Sequence, residues 1–137
     1  NPLHNDDCIY TPGVIAFKSD TNNPKLLPEE KWYSVNVLTC AAPNYTTAKK
    51  RGVSADENLQ VLKSRVQFIL SIADYFETKT LILGDWGCGV FGQSAEEVSE
   101  LFYQELDSGK YHFETVVFSV PDFRNYVPFE CRLVYRL

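Results

Sequence analysis

The stretch Leu81-Ile-Leu-Gly-Asp-Trp-Gly-Cys-Gly-Val-Phe-Gly-Gln-Ser94 runs from an apolar segment through a set of glycines into the start of a helix. Thr80 to Leu83 reads as the buried end of a strand, and Ala95 to Leu106 as a helix whose N-terminus carries partial positive charge. Ser94 followed by Glu97 has the capping-box form and places the helix start. Between them, Gly84, Gly87, Gly89 and Gly92 let the backbone turn and come close to a ligand. Successive N–H groups in such a turn form a concave nest that holds phosphate oxygens without a lysine. Gly87, Cys88, Gly89, Val90 and Phe91 are therefore the expected phosphate-binding loop, with Phe91 standing beside the guest.

Spacing separates the competing motifs. Gly87-Cys-Gly89-Val-Phe-Gly92 matches G-x-G-x-x-G, but the acidic residues about twenty positions on, Glu105 and Asp107, still lie inside the helix rather than at the end of a second strand. A Walker A loop fails because no Lys-Ser or Lys-Thr follows the glycines, and a nucleophile elbow fails because Trp86 and Val90 flank Cys88. Cys88 reads as a small packing thiol, since no histidine stands at a pairing distance in the sequence. A plain glycine turn without a ligand remains the bland alternative.

Working outward, Val14 to Lys18 and Trp32 to Thr39 read as strands, the second followed by Cys40-Ala-Ala-Pro-Asn44 at its carboxyl end. Asp20 to Pro28 is the turn between them. From Ser54 to Phe76, Leu59, Leu62, Val66, Ile69 and Ala73 recur at three- and four-residue steps, which makes one apolar helical face. Val98, Leu101, Phe102 and Leu106 repeat the pattern. Tyr111 to Val120 reads as a strand, and Phe129 to Tyr135 as a further one. Strands alternating with helices define an α/β class with a mixed or mainly parallel sheet covered on both faces. The loops Cys40–Tyr45 and Gly84–Gly92 both follow strands, where ligand loops of open α/β sheets cluster, and are expected to converge.

Leu83-Gly-Asp-Trp-Gly-Cys-Gly-Val-Phe91, preceded by Val35-Asn-Val-Leu-Thr-Cys-Ala-Ala-Pro-Asn44 and by Tyr10-Thr-Pro-Gly-Val14, resembles the C-terminal half of the microbial-type poly(ADP-ribose) glycohydrolase family. The likeness runs in the same order from Ile9 to Asp122, and Val117-Phe-Ser-Val-Pro-Asp122 is similar to the family's last core strand and the acidic residue after it. The resemblance implies a macrodomain-like fold: a mixed, mainly parallel sheet flanked by helices and lacking N-terminal strands. Residues 1–137 then form a single domain that is the C-terminal portion of a larger one. It implies ADP-ribose or poly(ADP-ribose) as ligand, with the diphosphate on Gly87 to Phe91. Asn44 would hydrogen-bond a sugar hydroxyl and Asp122 accept from one. Asp85 stands where a small uncharged residue is expected; turned inward it would repel a diphosphate, turned aside to cap N–H groups it would be harmless.

The family's catalytic signature, a Gly-Gly-Gly run followed by Gln-Glu-Glu, precedes the first of these motifs and does not occur in this chain. Glu29-Glu30 and Gln93-Ser-Ala-Glu-Glu97 are not that signature and read as solvated or helix N-terminal charges, so no catalytic residue is assigned. The chain contains no methionine, and Asn1 reads as a processed or excised start. The expectation is a C-terminal fragment, with a naturally short relative as the alternative. Hydrolysis of ribose–ribose bonds would need the missing segment. A non-catalytic structural or regulatory interaction domain is the second reading, and a nucleotide enzyme using Cys88 the third.

Composition narrows the remaining choices. At 137 residues and 45% hydrophobic the chain can form one core. No stretch approaches the ~18 apolar residues of a membrane span and no signal-peptide pattern opens it, so a cytoplasmic setting without membrane partners is expected. A formal charge of −5 argues against direct nucleic-acid binding. The one basic cluster, Lys49-Lys50-Arg51, reads as a solvated loop, with contact to a ligand or polymer phosphate as the alternative. Cys8, Cys40, Cys88 and Cys131 make no zinc pattern and no disulfide framework, and His4 with Asp6, Asp7 and Cys8 reads as a mobile terminus rather than a metal site. No cofactor and no metal are expected. An uncovered sheet edge would pair with the N-terminal half or with a second copy.

Overall fold

The computed structural model describes residues 1–133 and divides into two compact units, one formed by Asp7–Cys40 and the other by Asn1–Asp6 with the chain from Ala41 onward. In the smaller unit, β1 (Cys8–Ala16) pairs antiparallel with β2 (Tyr33–Cys40), with Ile9 opposite Thr39 and Val14 opposite Val35. The register shifts between Thr11 and Val14, where Pro12 has no N–H and the Gly13 N–H donates to Asn36 Oδ1 instead of the ladder. Pro-Gly reads locally as a turn, so the strand expected from Val14 begins six residues earlier than its sequence signals suggest, at Cys8. A 3₁₀ turn at Glu29–Lys31 precedes β2, and Trp32 packs on Phe17 with ring centroids 6.0 Å apart while its indole donates to Leu27 O.

The larger unit is built on α2 (Ala55–Tyr75). The Ser54 hydroxyl caps it by accepting from the Glu57 N–H, and Asp56 and Glu57 complement the dipole in the first turn. Leu62, Val66, Ile69 and Ala73 lie on its buried face as the periodicity predicts, joined by Leu70, whereas Leu59 is only half-buried. Strand β3 (Thr80–Gly84) and β4 (Thr115–Ser119) are parallel, with Gly84 beside Ser119, and are joined through α3 (Ala95–Asp107). The α/β class therefore holds, but the sheets are small and separate, one antiparallel and one parallel, rather than one sheet covered on both faces. On one face of β3–β4, Phe118 meets Phe102 edge-on at 5.4 Å and Phe129 at 5.3 Å. The opposite face leaves Ile82 and its neighbour Val117 68% and 45% exposed.

Three expectations change. Tyr111 to Val120 is a strand only over Thr115–Ser119, because the N–H groups of Glu114 and Thr115 turn to Lys79 O and that of His112 to the Asp74 carboxylate. The segment from Phe129 is the end of a helix, α4 (Phe123–Leu133), not a strand; Val134 and Tyr135 lie outside the described residues. Asp122 starts that helix by accepting from the Arg124 N–H, and Pro128 within it is buried beside Phe129. Its β-branched and aromatic residues favour the strand reading, and Pro128 hides the helical spacing that puts Phe129 against Phe118. A short helix, α1 (Tyr45–Lys50), follows the Ala-Pro-Asn turn, so Lys49 and Lys50 sit in a last helical turn and not in a loop.

None of the helices among the described residues is long and apolar enough to cross a membrane. Phe102 is fully buried where α3 meets the sheet. Its replacement by alanine should cost about 3–5 kcal/mol in urea denaturation, the range for deleting an aromatic ring from a closed core.

Candidate functional site

The glycine loop leaves β3 at Gly84 and is shaped by its own backbone. The Cys88 N–H donates to Asp85 O, the Gly92 N–H to Gly89 O, and the Gln93 N–H to Gly87 O. Two glycines are sterically required. Gly87, at φ +84°, would place a Cβ 2.9 Å from both Ala42 Cβ and Gln93 Cγ, and Gly92, at φ +70°, would place one 2.4 Å from Thr46 Oγ1. The N–H groups of Gly87, Gly89, Val90 and Phe91 make no backbone hydrogen bond among the described residues.

The second loop closes on the first. Ala42 and Pro43 are buried, and the Thr46 N–H donates to Phe91 O at 3.0 Å. Gln93 reaches across to donate to Pro43 O at 2.8 Å, and its amide pairs reciprocally with that of Asn58 at 2.9 and 3.0 Å. Both amides are buried, and this exchange satisfies them where unpaired groups would each be costly. The convergence expected of the two loops is thus present. Asn44 joins it as the cap of α1, its Oδ1 accepting from the Thr47 N–H. Asp122 lies past β4 at the same strand end as Gly84, and Asn125, on the first turn of α4, donates to Asp85 Oδ2 at 2.7 Å. Asp85 is accordingly held by a side-chain amide rather than by the backbone N–H groups considered for it.

A buried guanidinium supports the site from beneath. Arg65 is 1% exposed and donates to Ala41 O, Leu3 O and the Asp6 carboxylate, which also accepts from the Ser64 hydroxyl. It holds the first residues of the chain in place, and the His4 ring lies 5.9 Å from that of Phe91. Asp6 is thus taken up by an ion pair. A cavity of ≈ 440 Å³ lined by Leu3, His4, Asp6, Gln60, Ser64 and Arg65, among others, opens beside this segment, and no residue of the glycine loop lines it.

Charges are distributed unevenly. Burial pushes the Cys88 thiol up to about 12, helped by the negative charges of Asp85 and Glu96, so it is a neutral packing group at physiological pH. At the N-terminus of α3, the carboxylate of Glu96 is held below its ordinary range by its own backbone N–H and by the Ser94 hydroxyl. The helix end is therefore already met by an anion from the chain itself, and the open N–H groups belong to the loop before it. The side chain and backbone N–H of Arg124 draw the half-buried Asp122 down to about 2, leaving it ionised at neutral pH.

Asn58, Arg65 and Asn125 are the residues that sequence reasoning passed over, and Gln93, read there as part of a solvated helix start, is instead buried because its amide is taken up by Asn58 and Pro43. Asn58 and Arg65 fall in phase with Leu62 and Ile69 on the buried face of α2, and polar side chains in an apolar stripe are the signal that could have found them.

A parallel strand–glycine loop–helix–strand unit, with a second loop closing on it at the carboxyl end of the strands, defines a macrodomain-like α/β domain. No family model and no curated protein matches the sequence. Solved structures do. A poly(ADP-ribose) glycohydrolase from Deinococcus radiodurans in complex with ADP-ribose is 32% identical with a TM-score of 0.88, over 99% of this chain and 55% of that one. The enzyme from Thermomonospora curvata bound to the inhibitor ADP-HPD is 36% identical with a TM-score of 0.85, over 97% of this chain and 51% of that one. The chain is a partial poly(ADP-ribose) glycohydrolase-like domain that spans about half the length of the structures it matches.

Replacing Asn58 with alanine strips Gln93 of a donor and an acceptor and should cost about 1–3 kcal/mol in urea denaturation. The Asn58→Ala/Gln93→Ala double variant should lose less than the sum of the single changes, because the two share one interaction. At pH 8, iodoacetamide should label the exposed Cys131 well before Cys88, as read by peptide mass mapping.

Proposed function

We propose that this domain binds ADP-ribose at the carboxyl end of β3 and β4, with the diphosphate on the backbone N–H groups of the glycine loop. The observation that carries this reading is the set of N–H groups at Gly87, Gly89, Val90 and Phe91 that find no backbone acceptor among the described residues. The likeness to a Deinococcus radiodurans glycohydrolase solved with ADP-ribose supports it. Phe91, half-buried against His4, presents its remaining edge to a ribose or base, and Phe123, 75% exposed directly after Asp122, offers a second flat apolar surface at the same strand end. Asn44, its oxygen engaged as a helix cap, meets a sugar hydroxyl through its NH₂ group. Asp122 accepts from a hydroxyl or amino group of the ligand.

Cleavage of a ribose–ribose bond needs carboxyl groups placed around it. Glu29 and Glu30 lie in the 3₁₀ turn of the smaller unit, and Glu96 caps its own helix. Hydrolysis therefore belongs to this domain only together with a segment bearing the Gly-Gly-Gly and Gln-Glu-Glu signature. The exposed Ile82 and Val117 give such a segment, or a second copy, an apolar sheet face to cover. A reducing, cytoplasmic setting suits its free cysteines.

Calorimetric titration of the full chain with ADP-ribose tests the reading. The wild type should bind, and Phe91→Ala should weaken binding by about 1–3 kcal/mol, the scale of a lost aromatic contact. A crystal soaked with ADP-ribose should show the diphosphate on Gly87 to Phe91; a diphosphate seated elsewhere, with unchanged affinity in the variant, would remove the assignment.

A further inference from the structure

In the larger unit the described basic side chains are matched to carboxylates, with one isolated exception and one run of exceptions. Arg65 faces Asp6, Lys79 faces Glu114, Lys110 faces Glu105, Arg124 faces Asp122 and Arg132 faces Glu100. Lys63, on α2, has no ion-pair partner among the described residues. Lys49, Lys50 and Arg51 are consecutive and exposed, and form no ion pair among the described residues. A cation in the last turn complements a helix dipole, but α1 is only 6 residues long, and three adjacent like charges repel one another in a fold that does not neutralise them.

Their position gives the run a use. Thr46, in the first turn of α1, is fastened to the glycine loop through its N–H bond to Phe91 O and its close approach to Gly92. Lys49 and Lys50 lie three and four residues beyond Thr46 and so share its side of the helix, whereas Ala48 on another side is fully buried. Three residues of helix, roughly 4.5 Å of rise along its axis, separate Lys49 from Thr46. The loop itself brings no cation; the charges acting on Cys88 are those of Asp85 and Glu96.

We infer that Lys49, Lys50 and Arg51 form a phosphate-contacting rim that engages the ADP-ribose unit adjoining the one seated on the glycine loop, so that the site favours the polymer over the monomer. This rests on the ADP-ribose reading of the loop. A polymer carries a diphosphate in every unit, and its neighbouring unit can reach cations that a single seated ADP-ribose leaves in water. Each phosphate neutralised also releases a counterion, so the preference depends on salt.

The test titrates the full chain and a K49A/K50A/R51A variant with monomeric ADP-ribose and with an ADP-ribose oligomer of defined length, at several salt concentrations. The wild type should bind the oligomer at least about tenfold more tightly than the monomer, with a salt slope steeper by about 1.4, on the scale of ~0.7 for each of the two phosphates of the adjoining unit. That slope difference reads the rim in the unmodified protein, whatever the variant's stability. The variant should lose the oligomer preference and keep its monomer affinity within about twofold, while K49R/K50R/R51K should retain both. Equal losses for monomer and oligomer, or undiminished oligomer binding by a folded variant, would overturn the rim. So would competition by an oligoribonucleotide of matched phosphate number as effective as that by the oligomer, which would make it a general nucleic-acid contact. A wild type that binds neither ADP-ribose ligand would defeat the reading of the loop itself, and the rim with it.

Discussion

The reciprocal amide pair between Asn58 and Gln93 is the constraint on which the arrangement of both loops depends. Gln93 ends the glycine loop, Asn58 belongs to the first turns of α2, and the same Gln93 amide holds the Pro43 carbonyl. Three segments far apart in the chain therefore meet at one buried hydrogen-bonded cluster, in a setting where every lost bond leaves a desolvated partner. The glycines follow from it. Once Gln93 is anchored, Gly87 must pass within contact of its side chain and of Ala42, and Gly92 must pass Thr46, so neither position has room for a side chain.

Around this cluster the polar groups divide into those the fold consumes and those it leaves open. Asp85, Glu96 and Asp122 are each engaged, by Asn125, by the start of α3 and by Arg124, so the acidic residues at the strand ends are tied to protein partners. What stays open is backbone: the N–H groups of the loop tip. On the proposed reading, an anion site made this way would gain its selectivity from curvature and from the polar groups at its margin, not from a dedicated cation. Such a site would also tolerate nearby carboxylates only because each has a donor of its own.

Much of this is legible in the sequence, for physical reasons that also mark where legibility ends. Ser54 and Ser94 announce two helices because a hydroxyl before an apolar repeat answers a local need, the unpaired first N–H groups. The α2 face and the strand–glycine loop–helix order are local in the same sense. The antiparallel pairing of β1 with β2 is not, because it is decided by which strand each meets, and Pro12-Gly13 disguises the first of them. Helix α4 escapes notice since Pro128 and a β-prone composition outweigh a contact, Phe129 on Phe118, that exists only in three dimensions. The short α1 depends on the Asn44 cap and on docking of Thr46, for its threonines favour no helix on their own. Asn58 and Arg65 were visible as misfits in an apolar stripe, but their partners were not.

Arg65 has a bearing on how the domain can be handled. Exposed segments outside the regular helices and strands are ordinarily the part of a protein that can be trimmed without penalty, since little is tied to them. Here the carbonyl of Leu3 and the carboxylate of Asp6 are two of the three groups that a fully enclosed guanidinium relies on, the third being the carbonyl of Ala41. Removing Asn1–Asp6 would leave a positive charge enclosed with a single acceptor, and water would have to enter beside α2 to reach it. Residues 1–6, though mostly exposed themselves, are thus tied to the interior of the larger unit through Leu3 and Asp6, and a boundary drawn for expression, tagging or fusion has to leave them intact.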